Sequence, residues 1–550
     1  MRGYDVHGTI VLHNPEYQND AFLTTYFDGK VDVKAAIIPP PPRNEDPQQD
    51  ALMMETWYRK TAPAFNKFIV ALLAMEERRE RKMHLMRAAA PVIFWWPFTQ
   101  HGQLQKEDSI SVIDSARNDF LNVYDPSVQT PGMPQIRGMF DSSASWWTQA
   151  LGHGDQSLAL EAAAAASRYG HVLYPRMVHE PAFNLAESLL QTVGKGWAER
   201  VFYSDNGSTG MEVAIKMAMR VAGYNVPRES QTDSHQWGVI GLRGAYHGDT
   251  LGAMDATQSD VFKSEWHKER GVWLDAPTIA FKDGEVTISG GILGTDFAEK
   301  FASLDDVYNL KGRLDSDLVF RYREAIETTL RQHVGDGQVF GAVLLEPLLM
   351  GAGGMKFVDP LFQNVLARTA RSMSSVLLPK PTRSRITIPV IFDEVFVGLG
   401  RLGSLSTAQA LGVYPDIAVY AKMLTGGLTP LAATLATEDV FNAFLSENKE
   451  DALNHGHSYT ANPVACAVAA KSMELIQNHL STSDELRMAK TMWLASELGD
   501  GRDKNDTVWS VWSPEFVKKA SNAENVDGVM TIGTVLAVRL KDQEAAGQSF

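Results

Sequence analysis

Two short apolar runs constrain this chain more than anything else in it. The first, Ile386 to Phe392 with Pro389 inside it, ends in Asp393-Glu394, and the second, Ile417 to Ala421, ends in Lys422. Both are short and rich in strand formers, the pattern of strands buried on two faces. Where helices alternate with strands, the strands lie parallel, and their C-terminal ends form one rim with a crevice outside it. Asp393 and Lys422 are therefore expected to face one crevice. The alternation is present. Arg200 to Tyr203 reads as a strand, followed by a helix over Thr209 to Ala222 whose Val213, Met217 and Val221 are spaced for burial. Val239 to Gly244 and Ala342 to Leu345 read as further strands, and Leu158 to Ala166 and Pro181 to Thr192 as further helices. This rhythm predicts an α/β fold, a mainly parallel sheet flanked by helices.

The loops after these strands carry the other candidates. Asn206-Gly207-Ser208 sits at a helix start, where free N–H groups and the dipole hold a phosphate; an ordinary N-cap is the alternative. Tyr246-His247-Gly248-Asp249 brings an aromatic ring to the same rim, either to stack on a flat ligand or to fill the core beneath the loop. Glu346-Pro347 ends another strand. His455-Gly456-His457 offers two histidines but no third ligand, so no metal site is expected. Gly398, Gly400 and Gly403 spell GxGxxG, yet Asp393 to Val397 separate them from the strand and no helical rhythm follows, which excludes a dinucleotide fingerprint. A carboxylate and a lysine on one crevice suit pyridoxal phosphate (PLP): the acid pairs with a pyridinium nitrogen while the amine forms a Schiff base with the aldehyde.

The order DEVxxGxGRxG, then PDIxxxAKxLxGGxxP, resembles the signature of class III (ω-type) aminotransferases, which are fold type I PLP enzymes. The resemblance implies that Lys422 carries the cofactor, Asp393 keeps its ring nitrogen protonated, Gly207 and Ser208 hold its phosphate, and Tyr246 lies over its ring. It also implies a homodimer in which Ser458 reaches the phosphate of the other subunit's cofactor. Trp146-Trp147, Trp96-Pro97-Phe98-Thr99 and HGDTLGAM narrow the resemblance to the 7,8-diaminopelargonic acid aminotransferases of biotin synthesis. For these the implied amino donor is S-adenosylmethionine and the acceptor 8-amino-7-oxononanoate, in a pocket walled by Trp146, Trp147, Phe98 and Gly456. A different class III aminotransferase for ω-amines, or a PLP-fold protein without catalysis, stays open.

Before this region, Gly8 to Leu12 reads as a buried strand, Pro39 to Pro42 as a turn, and Ala51 to Arg87 as a helix broken or kinked at Pro63. GYDVHGTIVLHNPEYQNDAF and IIPPPPRN resemble the C-terminal part of a dethiobiotin synthetase, an ATP-binding family with a P-loop. No GxxxxGK[ST] occurs here, so residues 1–87 are expected to be a remnant that does not hydrolyse ATP. Residues 88–550 read as the aminotransferase domain, with a polar insertion at about 282–338 that has its own helix from Asp317 to His333. Only one later strand is read, Met530 to Leu540, and Arg539 within it does not match the family's carboxylate-binding arginine, so an incomplete small C-terminal domain is expected. A net charge of −15 argues against nucleic acid and anionic membrane as partners. No apolar stretch of about 20 residues is present to span a bilayer. The family implies a mitochondrial location, with a cytoplasmic one as the alternative.

Overall fold

The computed structural model describes residues 46–541 apart from 105–109, 129–134, 225, 227–236, 259–263, 380–386 and 497–507. The expected strand at Gly8 to Leu12 and turn at Pro39 to Pro42 lie outside the described residues. The chain divides into two units. Most of the first is residues 1–116 with 120–140, and most of the second is residues 141–549 with 117–119.

The second unit is built on a seven-stranded sheet. From edge to edge its strands are Arg200–Ser204, Ala432–Ala436, Ile417–Tyr420, Val390–Asp393, Val339–Leu345, Trp237–Leu242 and Gly271–Leu274. Only Ala432–Ala436 runs antiparallel to its neighbours, so the sheet is mainly parallel, as the alternating pattern predicted. The two signature strands are adjacent and in register, with Ile391 opposite Ile417 and Asp393 opposite Val419. Their residues are buried on both faces, which accounts for the unbroken apolar runs. Helix Gly207–Tyr224 covers one face of the sheet, burying Met211, Val213, Ala214 and Met217 in a cluster with Ile391, Ile417 and Val419. Helices Glu180–Gln191 and Pro463–Thr482 bury Leu185, Leu189, Cys466 and Met473 in the larger core cluster.

A second, antiparallel sheet has the order Val535–Leu540, Val526–Ile532, Thr278–Lys282, Glu285–Ser289, Ala298–Phe301. The segment read as one strand from Met530 to Leu540 is thus two strands of a hairpin. Gly533, at φ 58°, turns the chain where a side chain would be strained. The helix expected from Asp317 to His333 spans Asp317–Gly335. Beneath it the buried Arg313 guanidinium pairs with Asp359, which also accepts from Tyr322 at 2.9 Å.

In the first unit a single helix, Pro47–Ile93, begins at the Asp46 cap and continues through Pro63, where a break or kink was expected. Loss of one amide donor does not end it there. The strands Ile113–Arg117, Phe120–Tyr124 and Ile136–Phe140 form a small sheet.

Candidate active site

Because six of the seven strands point the same way, their C-terminal ends deliver loops to one rim. A cavity of about 710 Å³ opens there. It is lined by Asp205 to Ser208 after the first strand, Tyr246 to Thr250 after another, Glu346, then Asp393, Val395 and Phe396, and finally Lys422, with Thr148 on a further side. Five residues singled out in the sequence, Gly207, Ser208, Tyr246, Asp393 and Lys422, meet at this one place.

Asp393 is buried and accepts a hydrogen bond from the Val395 amide at 3.1 Å. Its other oxygen lies 2.8 Å from His247 Nδ1, and His247 is itself buried. The carboxylate is thus fixed by two partners before any ligand arrives. Glu346 accepts from the amides of Tyr246, at 3.0 Å, and Gly351, at 2.8 Å, so it ties the Tyr246 loop to its own strand end. Burial, and the negative charge of Asp393, raise its carboxyl to about 7.

Lys422 follows its strand in a left-handed conformation, φ 51°. Its Nζ lies 5.3 Å from the Trp147 ring centre and 5.4 Å from that of Phe396, and these two rings meet edge to face at 5.3 Å. It makes no hydrogen bond or ion pair among the described residues. Burial, together with the Arg401 charge, lowers the amine to about 8, against the pull of Asp393 and Glu346. A lysine that is partly neutral near physiological pH is a nucleophile and a base.

Helix Gly207–Tyr224 starts at the cavity wall. The Thr209 amide donates to Asn206 Oδ1 at 3.1 Å, while the amides of Gly207 and Ser208 find no such side-chain acceptor among the described residues. A Cβ at Gly207 would lie 2.8 Å from a Val395 methyl, and one at Gly248 would lie 2.6 Å from Ser208 Cα. Backbone therefore stands where side chains would fill the cradle. An anion fits this helix start, and a pyridinium fits the buried Asp393. An amine lowered to about 8 is partly neutral and can meet an aldehyde, so the donor set fits PLP.

Two residues, Arg401 and Glu394, were given no role by sequence reasoning, whereas the GxGxxG glycines were read correctly as opening no helix. Arg401 is buried, and burial pushes its guanidinium down to about 10. It donates to Phe396 O at 2.8 Å and to Trp147 O, and so holds the backbone behind both rings. Its own carbonyl accepts from the Thr534 amide, 2.9 Å, at the tip of the C-terminal hairpin. Arg401 stands in the quoted GRxG motif, but eight positions beyond Asp393, where a strand-end argument does not reach. Glu394 is buried, accepts from Ser406 and Thr407, and is raised to about 7 by burial. The GxGxxG glycines open no helix; a Cβ at Gly403 would lie 2.9 Å from the Trp509 ring.

By its sequence, Arg137 to Trp147 includes a strand-like MFDSSASWW. The strand stops at Phe140, and Ala144 to Trp147 follow as a left-handed turn with φ of 47°, 48°, 55° and 62°. For residues with a Cβ such a conformation costs about 1–2 kcal/mol each. Only Trp147 reaches Lys422; Trp146 is 48% exposed and is not among the cavity-lining residues. Gly456 and Ser458 are exposed in a loop held by His171, which meets Ser458 O, and by His179, whose Nε2 lies 2.8 Å from Ala461 O. They do not line this cavity. Phe98, with φ 53°, belongs to the first unit.

The class-III aminotransferase family model matches residues 135–511. The chain is 42% identical over 575 residues to the bifunctional dethiobiotin synthetase/adenosylmethionine-8-amino-7-oxononanoate aminotransferase of Emericella nidulans, with 100% of this chain and 71% of that protein covered. It is 38% identical over 560 residues to the bifunctional dethiobiotin synthetase/7,8-diamino-pelargonic acid aminotransferase, mitochondrial, of Oryza sativa subsp. japonica, covering 98% of this chain and 63% of that one. The chain thus spans between 63% and 71% of the length of these curated relatives. Among solved structures, the adenosylmethionine-8-amino-7-oxononanoate aminotransferase from Methanocaldococcus jannaschii superposes with a TM-score of 0.59 at 22% identity, over 84% of this chain and 86% of that one. The fold is therefore shared with that structure.

Proposed function

This chain belongs to the class-III aminotransferase family, and from that premise we propose that it binds PLP and transfers the amino group of S-adenosylmethionine to 8-amino-7-oxononanoate, giving the 7,8-diamine on the way to biotin. One observation carries the proposal: a single cavity gathers Lys422, Asp393 and the Gly207–Ser208 helix start. The substrates rest on the names that the relatives bear.

Bound PLP supplies an aldehyde that takes up amines and a protonated ring that draws electrons from the carbon bearing the amine. Asp393, fixed by His247 and the Val395 amide, holds the proton on that ring nitrogen. The amides of Gly207 and Ser208 would hold the phosphate, and Tyr246, in a loop that Glu346 anchors, would stand beside the ring. Lys422 would hold the cofactor's aldehyde and, once freed by an incoming amine, would move a proton from the donor carbon to the aldehyde carbon, acting as general base and then as general acid. Its lowered affinity for protons suits it to both tasks. Trp147 and Phe396 keep water from the amine, and these two rings are proposed to wall the substrate pocket beside Lys422.

We further propose that the protein acts as a homodimer. Leu173, Met177, Val178, Phe183 and Tyr459 are each more than half exposed. The first four lie on one stretch of chain, against which the Ser458 loop is packed through His171 and His179. A second copy would cover this apolar face and receive Ser458 at its own phosphate site. Of the two activities in the relatives' names, the aminotransferase is the one proposed for this chain. A mitochondrial location is proposed on the plant relative's name alone.

The test is the absorbance of the purified protein with PLP, before and after S-adenosylmethionine. A visible band that disappears on adding S-adenosylmethionine supports lysine capture and the donor together. A band that stays with S-adenosylmethionine but disappears with an ω-amino acid replaces the donor. Absence of any band overturns the proposal.

A further inference from the structure

The four left-handed residues Ala144 to Trp147 need something to hold them, since a chain of L-residues would otherwise relax to the right-handed side. That holder is Asp141. Its carboxylate accepts from the Ser145 amide at 2.8 Å, from Ser145 Oγ at 3.0 Å and from Ser143 Oγ at 3.0 Å. It also meets His153 Nε2 at 2.8 Å, with both side chains nearly buried. Burial alone would raise this carboxyl, but the bonds from His153, Ser143 and Ser145 outweigh it and hold it below the usual range, so it is a charged acceptor. His153 is anchored in turn, exchanging backbone hydrogen bonds with Asn118 at 2.6 and 2.9 Å. The turn closes with Trp147 N on Ser143 O and Thr148 N on Ala144 O.

The far end of the turn is the cavity. Trp147 presents its ring to Lys422 Nζ and Phe396, and its carbonyl to Arg401, while Thr148 lines the wall. We propose that Asp141, seated by His153, is a positioning residue: it holds the left-handed turn that sets the Trp147 ring and carbonyl against Lys422 and Arg401. The inference rests on the reading of Lys422 as the amine that captures PLP. Asp141 touches neither cavity nor lysine, so it acts wholly through the turn. Opposite it, the charged groups that act on Lys422 are Arg401, Asp393 and Glu346, none of which contacts Asp141.

The experiment measures PLP capture by the visible band across pH, with thermal stability in parallel, for wild type, Asp141→Asn, Ser145→Ala and Asp141→Asn combined with Ala144→Gly. Releasing Trp147 opens Lys422 to water and loosens Arg401, and both effects favour the protonated amine. The capture midpoint of Asp141→Asn is expected to move up by about one pH unit. Ser145→Ala, which removes one hydroxyl donor and keeps the fold, should move it less and in the same direction. Glycine at position 144 accepts the left-handed conformation without strain, so the double variant should return toward the wild-type midpoint. If Asp141→Asn lowers the melting temperature while the midpoint stays in place, Asp141 is only a structural residue and the inference is overturned. Should Asp141→Asn not fold, an unmoved midpoint in Ser145→Ala overturns it equally. Wild type that gives no band at any pH removes the PLP reading itself, a different pattern from a band with an unmoved midpoint.

Discussion

The proposed chemistry centres on Lys422, and its surroundings make its behaviour testable. With the amine at about 8 rather than 10.5, PLP capture by wild type should rise with pH and level off above about 8, whereas a solvated lysine would still be climbing. The same shift has a stability consequence. Between pH 8 and 10.5 the unfolded chain binds the proton that the folded one has released, so the Lys422 contribution to stability rises across that window. Lys422→Ala should abolish the band, read by absorbance. Asp393→Asn removes a buried charge and its charged hydrogen bond, worth up to about 3 kcal/mol, and should slow the half-reaction by on the order of 100-fold in stopped-flow measurement. For Glu394 the sign is opposite to that of the lysine. Its folded carboxyl, raised from 4.5 to about 7, holds a proton that the unfolded chain has lost, so its contribution to stability falls as pH climbs through that interval. Glu394→Gln should therefore flatten the fall in melting temperature between pH 4.5 and 7.

At the scale of elements, the site depends on how closely loops approach one another. Gly248, at φ 119°, passes against Ser208, and any Cβ there would overlap the first turn of the helix Gly207–Tyr224. Gly248→Ala should weaken PLP affinity by roughly tenfold, about 1.4 kcal/mol, while leaving the pH midpoint of capture unchanged, as equilibrium titration can show. The strands and helices themselves were legible. Val390–Asp393 and Ile417–Tyr420 announce themselves because strands buried on both faces must be apolar throughout. The hairpin at Gly533 was read as one strand because apolar residues run on both sides of it; the turn depends on a single glycine. The tryptophan turn was misread for a related reason. Left-handed backbone in ordinary residues is imposed by a contact, here Asp141 with His153, and leaves no mark in local propensity.

For the whole molecule, the exposed face of Leu173 to Phe183 and the outlying Ser458 loop lead to the proposed shared-site dimer. Co-expression of Lys422→Ala with Ser458→Ala should then restore part of the activity that each variant lacks alone, because a mixed dimer has one site free of both changes. Sedimentation or light scattering should give twice the chain mass. The sequence by itself determined the alternation of strands and helices and the residues that end the strands. Chain order and apolar pattern are enough to specify a parallel sheet and its rim, so Asp393, Lys422, Gly207, Ser208 and Tyr246 could be placed on one crevice in advance. Only the tertiary structure decided what surrounds them: His247 behind Asp393, the Trp147 and Phe396 rings over Lys422, Arg401 behind both, and Asp141 behind Trp147. These partners come from distant parts of the chain. Local sequence carries the preferences of each segment but not the contacts through which separate segments bury, pair and strain one another.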